Sequence, residues 1–411
     1  MSENNIIKFY ISNLFFQITS YIFPIIYVFL LPNILSTDSF SFFAVFLSYI
    51  SILSIVIDFG LDLLTPKIII ERVKKDVSIN DLIFTVLSFK LILSTFIAFC
   101  LFIFFFINNP NKLFFVIIMS ISIIPKSLNF YWWFLGNLRI SKYAYFTAAT
   151  WISVFGIMFI FNNNKSYINL NSISICYLAV NSIIMMYGFS SIYKHYKHTK
   201  YKQYKFNFSL LRTAFPYFSS RISSSFYMSL GIPIFSFVGS NFDISVYSIG
   251  DQIYRFFQSL VSPFILSFYL QYESDKGMKK IYKYIIIIIF IIILGSLLLL
   301  LLRPFIQSLV AFNLVYVKVI NYYPFYVLAL IAHVLASFFG FPLSNIYKNS
   351  KFANYSIILS TIIYFIVILV LYITKLITIK NLISAMIITE TFLFVIRSRY
   401  FMIFKKKYEV K

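Results

Sequence analysis

A chain of 411 residues that is 60% hydrophobic and 12% charged, with a formal net charge of +22, is not an ordinary soluble globular protein. Hydrocarbon cannot satisfy free backbone groups, so only helices and closed barrels cross it. Long apolar runs such as Ile285–Leu302 exclude the short alternating strands of a barrel. The composition therefore gives an all-α polytopic membrane protein. The positive charges sit in short loops between apolar spans, which suits anionic lipid head groups rather than nucleic acid. The two cysteines, Cys100 and Cys176, both lie in apolar spans and imply neither a disulfide nor a metal site.

In chain order the apolar runs predict twelve spans: 9–31, 40–64, 82–107, 113–135, 143–161, 171–193, 211–238, 245–269, 284–302, 320–343, 352–374 and 381–403. The first is too long for a cleavable signal and is expected to remain as a span. A short interfacial helix is expected at Pro304–Phe312. With the N-terminus inside, 25 of the 35 Lys and Arg residues fall in inner loops, six in outer loops and four within spans. This asymmetry places both termini in the cytoplasm. The longest polar connector, Lys194–Asn207, divides the chain into six spans plus six, giving lobes 1–200 and 201–411. Prolines recur in the first span of each half, Pro24 and then Pro216 and Pro233, as in the internal repeats of transporters.

The charges inside spans carry the functional reading, because a charge at mid-bilayer costs about 2.5–3.5 kcal/mol. At about 1.5 Å per residue, Arg221 and Arg255 both lie near mid-depth. Together with Lys90, and with Lys126 as a weaker member, they predict a cationic lining that would attract a diphosphate or acidic sugars. The competing reading is neutralisation, since Asp251 and Arg255 are spaced i, i+4, and Lys126 is long enough to snorkel. Asp58 and Asp62 share a helix face near the cytoplasmic end of the second span. They are candidates for a gate or a coupling-cation site, or for capping and pairing with Lys67 or Arg72. Asp251 and Glu390 are candidate proton or sodium carriers.

Other signals carry less. Asp58-Phe59-Gly60 lacks the glycine-rich loop and catalytic loop of a kinase. His195 and His198 lie in a lysine-rich connector, and His333 reads as a packing histidine within a span. Tyr131, Trp132 and Trp133 are expected to form an interfacial belt. No phosphate-binding loop is present, so no ATP-driven step is expected; the expectation is of no cofactor, with a proton or sodium gradient as the candidate energy source.

Several of these stretches resemble the polysaccharide-exporter branch of the multidrug/oligosaccharidyl-lipid/polysaccharide (MOP) exporter superfamily, and within it the O-antigen flippases. They are Asn13, Gln17, Tyr21 and Pro24; Val56-Ile57-Asp58-Phe59-Gly60-Leu61-Asp62 with Pro66-Lys67-Ile68; Phe130–Gly136; Phe215-Pro216-Tyr217-Phe218-Ser219-Ser220; and Val246–Asp251 with Arg255 and Ser262-Pro263. The loop Pro32–Phe40 lacks the glycines often found there, and Arg221 stands where an uncharged residue is expected. The resemblance implies two pseudosymmetric six-helix lobes and alternating access in a bacterial inner (cytoplasmic) membrane. It also implies, as cargo, a sugar repeat unit on undecaprenyl diphosphate, carried to the periplasmic leaflet for lipopolysaccharide or related polysaccharide biosynthesis. The polymerase and chain-length proteins of that pathway are the implied partners.

Two rivals are weaker. A small-molecule antiporter of the same superfamily usually extrudes organic cations, which such a lining repels. A polytopic glycosyltransferase, polymerase or ligase carries a large outer loop with reactive residues; here the outer loops are short and Arg303 stands alone.

Overall fold

The computed structural model describes residues 22–75, 77–160, 169–196, 206–271, 313–340 and 350–409, with scattered positions between 286 and 307. The described residues form helices and no strand. After α1 (Ile22–Phe29) and α2 (Leu31–Ile34) come α3 (Thr37–Asp58), α4 (Leu61–Lys74) and α5 (Asn80–Asn108). A 3₁₀ turn then leads into α6 (Leu113–Ser127) and α7 (Tyr131–Gly136), followed by α8 (Ile140–Ile160), α9 (Leu170–Tyr196) and α10 (Phe208–Ser229). The remainder is α11 (Gly231–Phe235), α12 (Asn241–Gln271), α13 (Leu314–Phe338), α14 (Ser350–Ile373) and α15 (Ile379–Glu409). Ten of the twelve expected spans coincide with these helices. The first and ninth, and the expected interfacial helix, lie largely outside the described residues.

Among the described residues seven stretches are long and apolar enough to cross a membrane: Thr37–Lys74, Asn80–Asn108, Pro110–Gly136, Leu170–Lys194, Leu314–Phe338, Phe352–Ile373 and Ile379–Ile403. The protein is a multi-pass membrane protein. Helices α10 and α12, of 22 and 31 residues, are long enough but are not among the seven. Their sequences explain why. α10 holds Ser219, Ser220, Arg221, Ser223, Ser224 and Ser225, and α12 holds Asp251, Arg255 and Gln258. A span keeps such residues only where they find polar partners.

By spatial contacts the chain divides into two compact units, 1–222 and 223–411, so the division falls inside α10. The expected halves, 1–200 and 201–411, would instead meet in the connector, at residues outside the described ones. In the first unit α6 packs against both α5 and α9, and α4 packs against α7. In the second, α13 packs against α12 and α15, and α14 packs against α15.

The expected aromatic belt is corrected by the packing. Trp132 and Trp133 are buried inside the first unit, and the Trp133 indole N–H donates to Ser191 at 3.1 Å. An indole that finds both apolar cover and an acceptor in the protein interior gains nothing from the lipid interface.

The corner between α3 and α4 sets the geometry of the first unit. Phe59 (φ 50°) and Gly60 (φ 77°) both adopt the left-handed conformation, which ends α3. A Cβ on Gly60 would lie 2.7 Å from the Phe218 nitrogen and 2.8 Å from the Ala214 oxygen, so the corner presses on the α10 backbone. The Phe59 ring stacks on Phe218 at 4.6 Å. Gly60→Ala therefore meets both an unfavourable φ and two backbone atoms that cannot yield, and should cost about 2 kcal/mol or more. Gly156, within α8, has nothing within 4 Å of its would-be Cβ. Gly156→Ala is expected to raise the thermal midpoint of the detergent-solubilised protein, and Gly60→Ala to lower it.

Candidate functional site

The corner carries Asp58 and Asp62 into one buried cluster. Asp58 is the last residue of α3, and Asp62 the second residue of α4. The Asp62 N–H donates to Asp58 Oδ1 at 2.9 Å, which caps the first turn of α4. Lys90 of α5 reaches both carboxylates, its Nζ lying 3.0 Å from Asp58 Oδ1 and 2.6 Å from Asp62 Oδ1. Arg221 of α10 donates to Asp58 Oδ2 at 2.5 Å. The Asn129 amide, between α6 and α7, approaches Asp62 Oδ2 at 3.5 Å. Two carboxylates thus face two cations from separate helices. Lys90 is fully enclosed, while the Arg221 side chain is 36% exposed.

The pairing expected for Asp58 and Asp62 with Lys67 or Arg72 is therefore corrected. Arg72 pairs with Asp81 at 2.6 Å, closing the α4–α5 turn. The Lys67 ammonium approaches the Tyr217 hydroxyl at 3.4 Å. The bend at Phe59-Gly60 turns both aspartates inward, out of reach of the interfacial cations. No sequence spacing reveals that turn.

The second unit has its own buried pair. Arg255 Nε donates to Asp251 Oδ2 at 2.7 Å, one turn away on α12. The same guanidinium donates to Ser229 Oγ at 3.3 Å and to the Met228 carbonyl, where α10 ends. With 26% of its side chain exposed, Arg255 resembles Arg221 in being anchored yet partly accessible. Lys126, the fourth expected cation, is half-buried near the end of α6 and forms no ion pair among the described residues.

Glu390 of α15 is buried and accepts from His333 Nδ1 at 2.9 Å. His333 also lies 3.2 Å from Ser337 Oγ and 3.0 Å from the Gln258 amide nitrogen. Arg397, counted above among the inner-loop charges, is buried within α15. It donates to Ser356 Oγ at 2.9 Å and to the Ala336 carbonyl in the last turn of α13 at 2.7 Å. The sequence held a signal for this. Met386, Glu390, Leu393 and Arg397 recur at intervals of four, three and four, and all four are buried. Asn129, Ser229 and Gln258 join these clusters without any comparable signal.

Among the described residues no group of three or more His, Cys, Asp and Glu side chains could hold a metal ion. Elsewhere in the second unit Lys318 pairs with Asp243 at 2.7 Å, and Arg303 donates to Asn321 at 2.6 Å. Among the described residues the aspartates inside the spans are all matched by lysine or arginine, and two of those partners are partly exposed arginines.

Deleting one member of a buried pair costs about 3–5 kcal/mol, because its partner is left charged and unpaired. Lys90→Met should therefore sharply lower the folded yield and thermal midpoint. Adding Asp62→Asn, which removes one of the stranded carboxylates, should recover much of the loss.

The family model described as "Polysaccharide biosynthesis protein" matches residues 6–269. No curated protein sequence matches significantly. Among solved structures, an outward-facing multidrug resistance MATE family transporter of the MOP superfamily is similar, with 12% identity and a TM-score of 0.58; the alignment covers 98% of this chain and 96% of that one. The inward-facing conformation of a MATE transporter gives 12% identity and a TM-score of 0.60, over 96% of this chain and 95% of that one. A MOP superfamily transporter from Pyrococcus furiosus, described as having a binding pocket of reversed polarity, gives 12% identity and 0.60, over 97% and 95%. The chain thus has the fold of MOP superfamily transporters: helical, with about twelve spans in two lobes.

Proposed function

Because the chain belongs to the polysaccharide biosynthesis protein family and has the MOP transporter fold, we propose that it is a flippase for lipid-linked oligosaccharides. Its cargo is a sugar repeat unit on undecaprenyl diphosphate, moved from the cytoplasmic to the periplasmic leaflet of a bacterial inner membrane by alternating access. The observation that carries the reading is the pair of partly exposed intramembrane arginines, Arg221 and Arg255, each held by a buried carboxylate.

A diphosphate that crosses hydrocarbon must exchange its water for other donors. A guanidinium offers two parallel N–H donors to phosphate oxygens, which suits it to that exchange. Asp58 and Asp251 aim the two guanidinium groups and cancel their charge while no cargo is bound. Lys90, enclosed between Asp58 and Asp62, holds the first carboxylate in place and does not touch the cargo. Lys126 is the fourth, weaker member of the proposed cationic lining. The serines of α10 offer hydroxyls to the sugars, and the polyprenyl tail stays in lipid. The paired charges of Asp58, Asp62 and Asp251 serve as an anchor and gate. Cytoplasmic termini, and the polymerase and chain-length proteins as partners, complete this reading.

An organic cation gains little from such arginines, which places the multidrug antiporter reading behind this one. A glycosyltransferase would require a reactive centre beyond the charge pairs, and the described residues present none on their outer side. The test is complementation of a strain lacking its own repeat-unit flippase and supplied with the matching glycan genes. The wild-type chain should restore surface polysaccharide. Arg221→Ala and Arg255→Ala should each lower it at least tenfold at equal protein abundance. Normal export by both variants would show that the arginines are only structural. Failure of the wild type with every matched cargo would overturn the flippase reading. Translocated but unpolymerised units would favour the enzyme reading.

A further inference from the structure

Helix α12 has one polar side. Asp251, Arg255 and Gln258 follow one another at intervals of four and three residues, which places them on a common face. Phe257 and Leu260 fall on the other side, where they are exposed and apolar. A span turns such side chains to lipid and keeps its polar side for partners or a wet cavity. Arg255 is answered by Asp251, by Ser229 and by the Met228 carbonyl. Gln258 is answered only in part. Its amide nitrogen lies 3.0 Å from both ring nitrogens of His333 on α13, while its carbonyl oxygen has no partner among the described residues.

The imidazole fixes what the amide has to spare. His333 Nδ1 donates to Glu390 Oε1 at 2.9 Å, so Nε2 is left with a single lone pair. Two donors converge on it: the Gln258 amide at 3.0 Å and, one turn along α13, the Ser337 hydroxyl at 3.2 Å. Only one of them can use that lone pair fully at a time. The cluster therefore holds a spare donor beside a spare acceptor, the Gln258 carbonyl. Gln258, His333 and Ser337 are all half-buried, so these groups are within reach of a ligand. A donor next to an acceptor is the complement of adjacent sugar hydroxyls, each of which both donates and accepts.

We propose that Gln258 and Ser337 form a subsite for the first sugar of the lipid-linked cargo, beside the phosphate held by Arg255. The identity of the cargo rests on the flippase reading above; the recognition of sugar hydroxyls rests on the cluster. Three residues separate Arg255 from Gln258, so their Cβ atoms stand about 5–6 Å apart on the helix surface. That is roughly the width of one pyranose ring. A sugar phosphate can then set its anionic end on the guanidinium and its hydroxyls on the amide and the serine. Charge divides the labour. The guanidinium binds any phosphate, whatever sugar follows. The neutral groups select, because a site built to hydrogen-bond a hydroxyl rejects a ligand that lacks it. His333 and Glu390 are positioning residues, which aim Gln258 and Ser337 without touching the sugar.

The test is calorimetric titration of the purified full chain in lipid nanodiscs. The probes are citronellyl diphosphate and the same compound carrying glucose, galactose or N-acetylglucosamine. At least one sugar-bearing probe should bind the wild type about fivefold tighter than the bare diphosphate, the worth of one or two neutral hydrogen bonds. Gln258→Leu should erase that difference and leave the affinity for the bare diphosphate unchanged. Ser337→Ala should do the same, and it removes only a hydroxyl from a helix that accepts alanine, so it serves even if Gln258→Leu fails to fold. Arg255→Ala should weaken all four probes alike. Equal binding of the four probes to the wild type overturns the subsite and leaves the flippase reading intact. So does a sugar preference that survives in the folded variants. A chain that binds no diphosphate, yet binds the methyl glycoside of one of these sugars through Gln258, keeps the subsite and removes the flippase reading. Binding of no probe at all overturns both.

Discussion

A charge removed from water must be matched, and that constraint organises this protein. Idealised transfer of one ion into a poorly polarisable interior costs of order 20 kcal/mol, and several kcal/mol remain after relaxation. The chain meets this cost by bringing opposite charges together from separate helices. Lys90 comes from α5, Asp58 and Asp62 from either side of the α3–α4 corner, and Arg221 from α10. The helix packing of the first unit and the neutrality of its charges therefore depend on each other. If α10 moved away from the Phe59-Gly60 corner, Asp58 would lose Arg221.

The two arginines show how such matching is compatible with function. A cation that is fully enclosed, such as Lys90, is committed to its carboxylates. A cation that is paired on one side and partly exposed on the other, such as Arg221 or Arg255, is held by its carboxylate and still reaches the protein surface. Its carboxylate partner sets its direction and lowers its standing charge. In the proposed function such an arginine would hold a diphosphate and release it again, whereas a bare cation in the same place would destabilise the empty protein. Transport needs release as much as binding.

The pair in the second unit adds a different element. Where the aspartates are paired with lysine or arginine, Glu390 is paired with an imidazole. Arg397 supports that arrangement by tying α15 to α13 and α14 through neutral acceptors, leaving Glu390 to His333.

The sequence alone determined the solvent, the helices and the residues at stake. Apolar runs of about 20 residues can only be membrane helices, so ten of the twelve spans were legible wherever the structure describes them. The intramembrane positions of Lys90, Arg221, Arg255 and Glu390 were legible for the same reason, since charges stand out against apolar runs. The i, i+4 pairing of Asp251 and Arg255 was legible because it lies within one helix. What the tertiary structure decided was every partnership between helices. Asp58 and Asp62 meet Lys90 and Arg221 because two left-handed residues turn the chain. His333 meets Glu390 across residues far apart in sequence, and Trp132 and Trp133 face inward. Periodicity reports one helix at a time and carries no record of its neighbours, so which charges cancel is settled only when the helices pack.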